Sequence, residues 1–182
     1  MLFVLSDHKY SMKLLVAIAP ELYRDEELDE PRAVFAKAGI GFDIASIKIG
    51  TCTGMLGGRA QATLTFDQAS AGDYAGIVII GGAGSPAHLW GNGDLIRLVQ
   101  AFYDAHKIVA AICLSPVVLA RAGILRGLPS TVFKTPESVK EMKAGGAVLS
   151  DMPVVVSGTI ITANGPAAAH AFGSAIVDAL KR

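Results

Sequence analysis

A chain of 182 residues suits one compact domain with a substantial core, and its 16 basic and 16 acidic residues cancel. With neither a basic excess nor an acidic tail, composition gives no footprint for nucleic acid, and none is expected as a partner. An apolar fraction of 52% without net charge predicts instead that some apolar surface is buried between copies, in a homodimer or a larger homo-oligomer.

Cys52 and Cys113 are too few for a disulfide framework, and neither stands in a CxxC or Cys/His zinc spacing. A reducing cytosol is the expected compartment, with no metal or other cofactor. The opening MLFVLSDHKYSM breaks its apolar run at Ser6 and has no positive n-region, so it does not read as a signal sequence. No stretch reaches the roughly 18 uninterrupted apolar residues of a membrane span. Residues 1–12 read as a peripheral extension, with Met12 a candidate start, and 13–182 as a single domain.

In chain order, residues 13–19 (KLLVAIA) predict a buried strand that Pro20 ends. Leu28, Val34, Phe35 and Ala38 predict a helix over 25–38, with an acidic first turn that suits its dipole and Gly39 as its stop. Residues 42–48 predict a second strand, 50–58 a turn region, and the alternation over 59–66 a more exposed strand. The run IVII at 77–80 predicts a short buried strand running into Gly81-Gly82-Ala83-Gly84. A helix over 94–106 and a strand over 107–112 follow. Residues 154–156 and 160–162 flank Ser157-Gly158 as a hairpin, and 167–180 closes the chain as an amphipathic helix. Short apolar strands alternating with helices predict a doubly wound α/β fold, mostly parallel, in which ligands sit beyond the carboxyl ends of the strands.

Cys113 stands at such an end. The run IVAAI stops at it, and helical pattern resumes within a few residues. A cysteine on a strand-to-helix bend has following amides and a helix N-terminus beside it, which favour a thiolate. The competing reading is a small buried residue closing a strand. The amides of the Gly81–Gly84 loop, with that of Leu114, would form an anion pocket, although glycine freedom in a tight turn explains the same sequence. The acidic run Asp25-Glu26-Glu27 is either a solvated first helical turn or the source of one carboxyl directed at the thiol. Of the four histidines, His88 follows the glycine loop and is the candidate base. Cys52 reads as incidental.

The landmarks YRDEELDEP (23–31), GTCTGMLGGRAQATLTFDQ (50–68), DYAGIVIIGGAGSP (73–86), IVAAICLSPVVLARAGIL (108–125) and TANGP (162–166) together resemble the ThiJ/PfpI superfamily. The resemblance runs over nearly all of 13–180. It implies a flavodoxin-like sheet sandwiched by helices, related to class I glutamine amidotransferase domains, and usually a homo-oligomer. It assigns the carboxyl partner of Cys113 to Glu27, counted back from Pro31. It places the anion pocket on the amides of Gly81, Gly82 and Leu114. Three positions depart from the pattern. Leu114 replaces the histidine of the peptidase branch, Thr135 stands where the deglycase branch has a histidine, and Ile80 replaces a proline.

The resulting expectation is a cysteine-dependent enzyme acting on a small-molecule electrophile, of glyoxalase, deglycase or hydratase type, through a Cys113 thiolate supported by Glu27. The alternatives are an oxidative-stress sensor whose Cys113 oxidises to sulfinate, and an intracellular peptidase or amidase, which Leu114 disfavours.

Overall fold

A computed structural model describes residues 12–182; the expected extension lies, but for Met12, outside the described residues. Its strands are β1 (Lys13–Ala17), β2 (Glu21–Tyr23), β3 (Gly41–Ser46), β4 (Gly50–Gly54), β5 (Arg59–Ala62), β6 (Leu64–Thr65), β7 (Gly76–Ile79), β8 (Ile108–Ile112), β9 (Pro129–Ser130), β10 (Val148–Leu149), β11 (Val154–Ser157) and β12 (Ile160–Ala163). The α-helices are α1 (Asp25–Lys37), α2 (Ser85–His88), α3 (Gly93–Asp104), α4 (Pro116–Arg121), α5 (Pro136–Ala144) and α6 (Ala169–Leu180).

The main sheet has seven strands in the order β11-β12-β8-β7-β1-β3-β6. Every neighbouring pair is parallel except the β11–β12 hairpin, the predicted antiparallel edge. Along β8 the side chains alternate between two cores. Ile108, Ala110 and Ile112 pack with Leu28 and Phe35 of α1 and Phe172 and Ile176 of α6. Val109 and Ala111 pack with Leu95, Val99 and Phe102 of α3 and with Val117 and Val118 of α4. The two-residue side-chain period of a strand thus feeds both helical layers, and the expected flavodoxin-like sandwich is the fold observed.

The chain winds from β1 outward to β3 and β6, then returns to place β7 on the other flank of β1. This reversal makes the carboxyl ends of β1 and β7 a topological switch point, the usual ligand position in such sheets.

Two expectations are corrected around residues 50–66. The predicted turn region contains β4, which lies between β2 and β5 in a separate three-stranded sheet. The single strand predicted over 59–66 is two strands in different sheets, because Thr63 turns its amide to the Ile44 carbonyl (2.9 Å) and carries the chain over to β3. α5 was not expected from the pattern, since only Ser138 and Met142 of its nine residues are buried.

Candidate active site

Cys113 follows β8 with φ of +64°, one of three described non-glycine residues with positive φ. An L-residue pays about 1 kcal/mol or more for this conformation, so the surroundings must impose it. The Cys113 amide donates to the Ala163 carbonyl (2.9 Å), while the Phe133 amide donates to the Cys113 carbonyl (2.7 Å). One residue beyond Leu114, the buried Ser115 hydroxyl donates to the Ile80 carbonyl (2.7 Å) and bonds the Ser85 hydroxyl (2.9 Å). The bend is therefore tied to β12, to the segment before α5, and to the end of β7.

The acidic run at the start of α1 divides into three roles. The Asp25 carboxylate accepts the amides of Leu56 (2.8 Å) and Gly58 (2.7 Å), pinning the β4–β5 turn against the helix. Glu26 takes a bidentate bond from the Arg24 guanidinium (2.7 and 2.9 Å). Glu27 turns toward the loop after β7 and is 0% exposed, against 7% for Asp25. Glu27 Oε2 accepts the Gly81 amide at 2.9 Å, which ties the first turn of α1 to the loop after β7. Its Oε1 is buried without a hydrogen-bond partner, and the Cys113 thiol is the side chain that most stabilises its charged form.

Glycine at 81 is a steric requirement. A Cβ there would lie 2.5 Å from the Cys113 Cβ, 2.7 Å from Glu27 Oε2 and 2.7 Å from the Ile112 carbonyl. Gly82 has φ of +112°, and a Cβ on it would strike the Leu22 carbonyl and the Arg24 amide at 2.4 and 2.5 Å.

Burial pushes the Glu27 carboxyl up to about 7, against the opposing pull of Cys113 and the Gly81 amide. The expected low-pKa thiolate is not what the site produces. Cys113 is 7% exposed, and burial, with the negative charge of Glu27, pushes its thiol up to about 12. The amides of Gly82 and Leu114 act in the opposite sense and favour the thiolate. Burial raises both groups, and the thiol is raised further because ionising it would place a second negative charge beside Glu27. Between about pH 7 and 12 the pair therefore holds one charge and one proton.

The structure brings Cys113, Glu27, Gly81, Gly82 and Leu114 together, with one redistribution. The Gly81 amide, expected in the anion pocket, is committed to Glu27, which leaves Gly82 and Leu114 as the donors acting on the sulfur. His88, the candidate base, instead bonds the exposed Glu21 carboxylate through Nε2 (3.1 Å). Thr135 is the N-cap of α5 in a reciprocal capping box with Ser138. Cys52 is buried in β4. Ser85, which opens α2, and Ser115, which precedes α4, are the supporting residues that pattern missed. Their only sequence signal is a small polar side chain shortly after a strand end. Among the described residues no group of three or more His, Cys, Asp or Glu could hold a metal, and no helix is long and apolar enough to cross a membrane.

Phe133, whose amide holds the Cys113 carbonyl, also lines a cleft of about 530 Å³ with Lys134, Asp151, Asn164 and Pro166.

Comparison with known proteins identifies the fold and the family. An uncharacterized protein of Methanocaldococcus jannaschii is 48% identical over 170 residues, 93% of this chain and 83% of that protein. A deglycase of Pyrococcus horikoshii is 32% identical over 170 residues, covering 93% of this chain and all of its own. The crystal structure of a ThiJ/PfpI domain protein from Brachyspira murdochii matches with a TM-score of 0.89 at 33% identity, over 93% of this chain and 96% of that one. The DJ-1/PfpI family model matches residues 12–179, and the chain belongs to that family.

Proposed function

We propose that this protein is a cysteine-dependent enzyme acting on small electrophilic carbonyl compounds, of the deglycase or glyoxalase type. The observation that carries this reading is the buried Cys113–Glu27 pair beside the Gly82 and Leu114 amides. The deglycase similar to it in Pyrococcus horikoshii supports the substrate class.

A 2-oxoaldehyde such as methylglyoxal illustrates the steps. The Cys113 sulfur attacks the aldehyde carbon as its proton passes to Glu27, whose raised pKa suits a base working near neutrality. The carbonyl electron pair moves to oxygen, where the Gly82 and Leu114 amides stabilise the developing charge, and Glu27 returns the proton to give a hemithioacetal. Glu27 then takes the proton from the former aldehyde carbon and delivers it to the neighbouring carbon, while the hemithioacetal hydroxyl proton passes to the neighbouring carbonyl oxygen, which becomes the hydroxyl. The product is a thioester, which water cleaves to a 2-hydroxy acid and free Cys113. The sum is oxoaldehyde plus water to hydroxy acid, with no external oxidant or reductant. Thiolate formation and attack are concerted here, so a standing low-pKa thiolate is not required.

The raised thiol and small exposure give less support to the sensor reading, which needs an accessible, readily ionised sulfur. Homo-oligomerisation remains part of the reading. It is supported by exposed Leu22, Met55 and Leu56 around the β2–β4 edge, and light scattering of the full chain tests it.

The test is methylglyoxal consumption. Wild-type protein should turn it over to lactate, Cys113→Ala should fall to background, and Glu27→Gln should lose roughly 100-fold or more. Turnover that survives Cys113→Ala would remove the proposal.

A further inference from the structure

Past the end of β7 the Ile80 amide still donates to the Ala17 carbonyl (3.0 Å), but the next peptide, Ile80–Gly81, leaves the sheet. Two side chains take its polar ends. The Gly81 N–H donates to Glu27 Oε2 (2.9 Å), and the Ile80 carbonyl accepts the Ser115 hydroxyl (2.7 Å). Both bonds fall on one planar trans unit, so turning its carbonyl turns its N–H as well. Among the described residues no backbone amide donates to the Ile80 carbonyl. Without Ser115 that buried oxygen would turn to find another donor.

A hydroxyl has one proton to give. Ser115 gives its own to Ile80, so its 2.9 Å contact with Ser85 needs Ser85 as the donor. The result is one directed chain, from Ser85 through Ser115 and the Ile80–Gly81 peptide to Glu27. Each bond in such a chain polarises the next, and a carbonyl that accepts makes its own peptide N–H a stronger donor. Both serines and Glu27 are 0% exposed, so water does not compete for these bonds. The backbone holds both serines in place. The Ser85 amide donates to the Gly82 carbonyl (3.1 Å), and the Ser115 amide to the Ile112 carbonyl (3.1 Å).

We infer that Ser115 is a positioning residue for Glu27, its hydroxyl holding the Ile80–Gly81 peptide so that the Gly81 N–H aims at the carboxylate and donates strongly. This rests on the proposed cysteine chemistry, with Glu27 as its base, and adds a residue to it. The Gly81 amide favours the charged carboxylate, as do the Cys113 thiol and Arg24, whereas burial and Glu26 oppose it. His170, on the α6 helix packed against α1, turns instead to Glu30 (3.6 Å). Weakening the Gly81 bond therefore keeps Glu27 protonated to higher pH, and the base is lost first on the acid side of neutrality.

The experiment follows the infrared carbonyl band of the protonated Glu27 carboxyl against pH in the full chain, assigned by its loss in Glu27→Gln. The wild-type midpoint should lie at about 7. Ser115→Ala should raise it by about half a unit. The acid limb of kcat/KM on methylglyoxal should move with it, a roughly threefold loss below neutrality that closes above it. Ser46→Ala is the control, since Ser46 is likewise 0% exposed and donates to the Ile18 carbonyl just past β1 (2.8 Å). It should lose comparable stability and leave both readings unmoved. An unshifted band in Ser115→Ala overturns the inference, as does an equal shift in Ser46→Ala. If Ser115→Ala does not fold, Ser115→Cys decides, because a thiol is only a weak donor and should also raise the midpoint; an unshifted band there overturns the inference. Wild-type turnover of methylglyoxal with an unshifted Ser115→Ala band sinks only this inference. A shifted band in a protein that leaves methylglyoxal untouched supports the role of Ser115 and counts against the proposed function alone.

Discussion

The two ends of β7 make an instructive pair. At its start, a Cβ on Gly76 would lie 2.8 Å from both the Cβ and the carbonyl oxygen of Ile108 on β8. Past its other end, a Cβ on Gly81 would meet Cys113 and the Ile112 carbonyl on the same neighbouring segment. Both glycines let β7 and β8 approach closely. The Gly76 end faces apolar packing alone, whereas the Gly81 end adds a carboxyl buried at 0% exposure and a strained cysteine. Cleft size points the other way. A space of about 620 Å³, lined by Tyr103, His106, Ser157 and Ile160, lies toward the amino end of β8 and β12 and holds no nucleophile paired with a base. The proposed chemistry thus sits with the backbone strain and the buried carboxyl rather than with this cleft.

Alanine at each glycine breaks or sharpens that comparison. Gly81→Ala forces backbone movement, since one atom it meets is the Ile112 carbonyl, and should cost about 3 kcal/mol or more. It should also abolish methylglyoxal turnover, because Cys113 and Glu27 are the other atoms displaced. Gly76→Ala should cost a similar amount of stability, yet the folded fraction should keep wild-type kcat. Urea unfolding alongside turnover per folded molecule separates the two. Equal loss of kcat from both variants would show that β7 registers as one rigid unit and that the distinction between its ends has no functional content.

Glu27→Gln tests the buried charge through the pH dependence of stability. The carboxyl titrates near 4.3 in an unfolded chain and at about 7 in the folded protein. The folded state therefore binds the proton more tightly, and stability falls as pH rises from the lower value through the higher. The contribution is complete below about pH 4, and above about pH 7 roughly 3 kcal/mol has been lost. Glutamine cannot ionise. The variant should thus gain on wild type between pH 5 and 8, shown by a flatter denaturation midpoint against pH. Parallel profiles would mean that folding does not raise the Glu27 pKa, which would remove the near-neutral titration that suits it as the base.

The sequence made the central strands legible because β1, β7 and β8 are covered on both faces and so read as uninterrupted apolar runs. β2, β9 and β10 span two or three residues and are held by pairing with distant partners, which leaves no local pattern. β4, GTCTG, looks like a turn and is a strand only through β2 and β5. At the site, the bend at Cys113 was legible in IVAAIC, since an apolar run ending in a polarisable nucleophile is a local signal. Choosing Glu27 from three acidic neighbours needed the family resemblance, because only the tertiary position of α1 decides which carboxyl turns inward. The commitment of the Gly81 amide to Glu27, and the pairing of His88 with Glu21, depend on ångström-scale placement that no spacing encodes.

The smallest effect is expected at Thr135, where the deglycase branch of the superfamily carries a histidine. Here its hydroxyl accepts the Ser138 amide (3.0 Å), and the Ser138 hydroxyl accepts the Thr135 amide (2.9 Å). Both bonds satisfy donors that the first turn of α5 would otherwise leave free. Thr135→Ala should therefore cost about 1 kcal/mol and lower the melting temperature by roughly 2–4 °C for a domain of this size. Alkylation of Cys113 should keep its wild-type rate and pH midpoint. A hydroxyl that had inherited the histidine's chemical task would give the reverse result, a slower reaction at unchanged melting temperature. Because a cap acts on stability and a proton carrier on rate, one variant measured both ways assigns the residue to the helix or to the site.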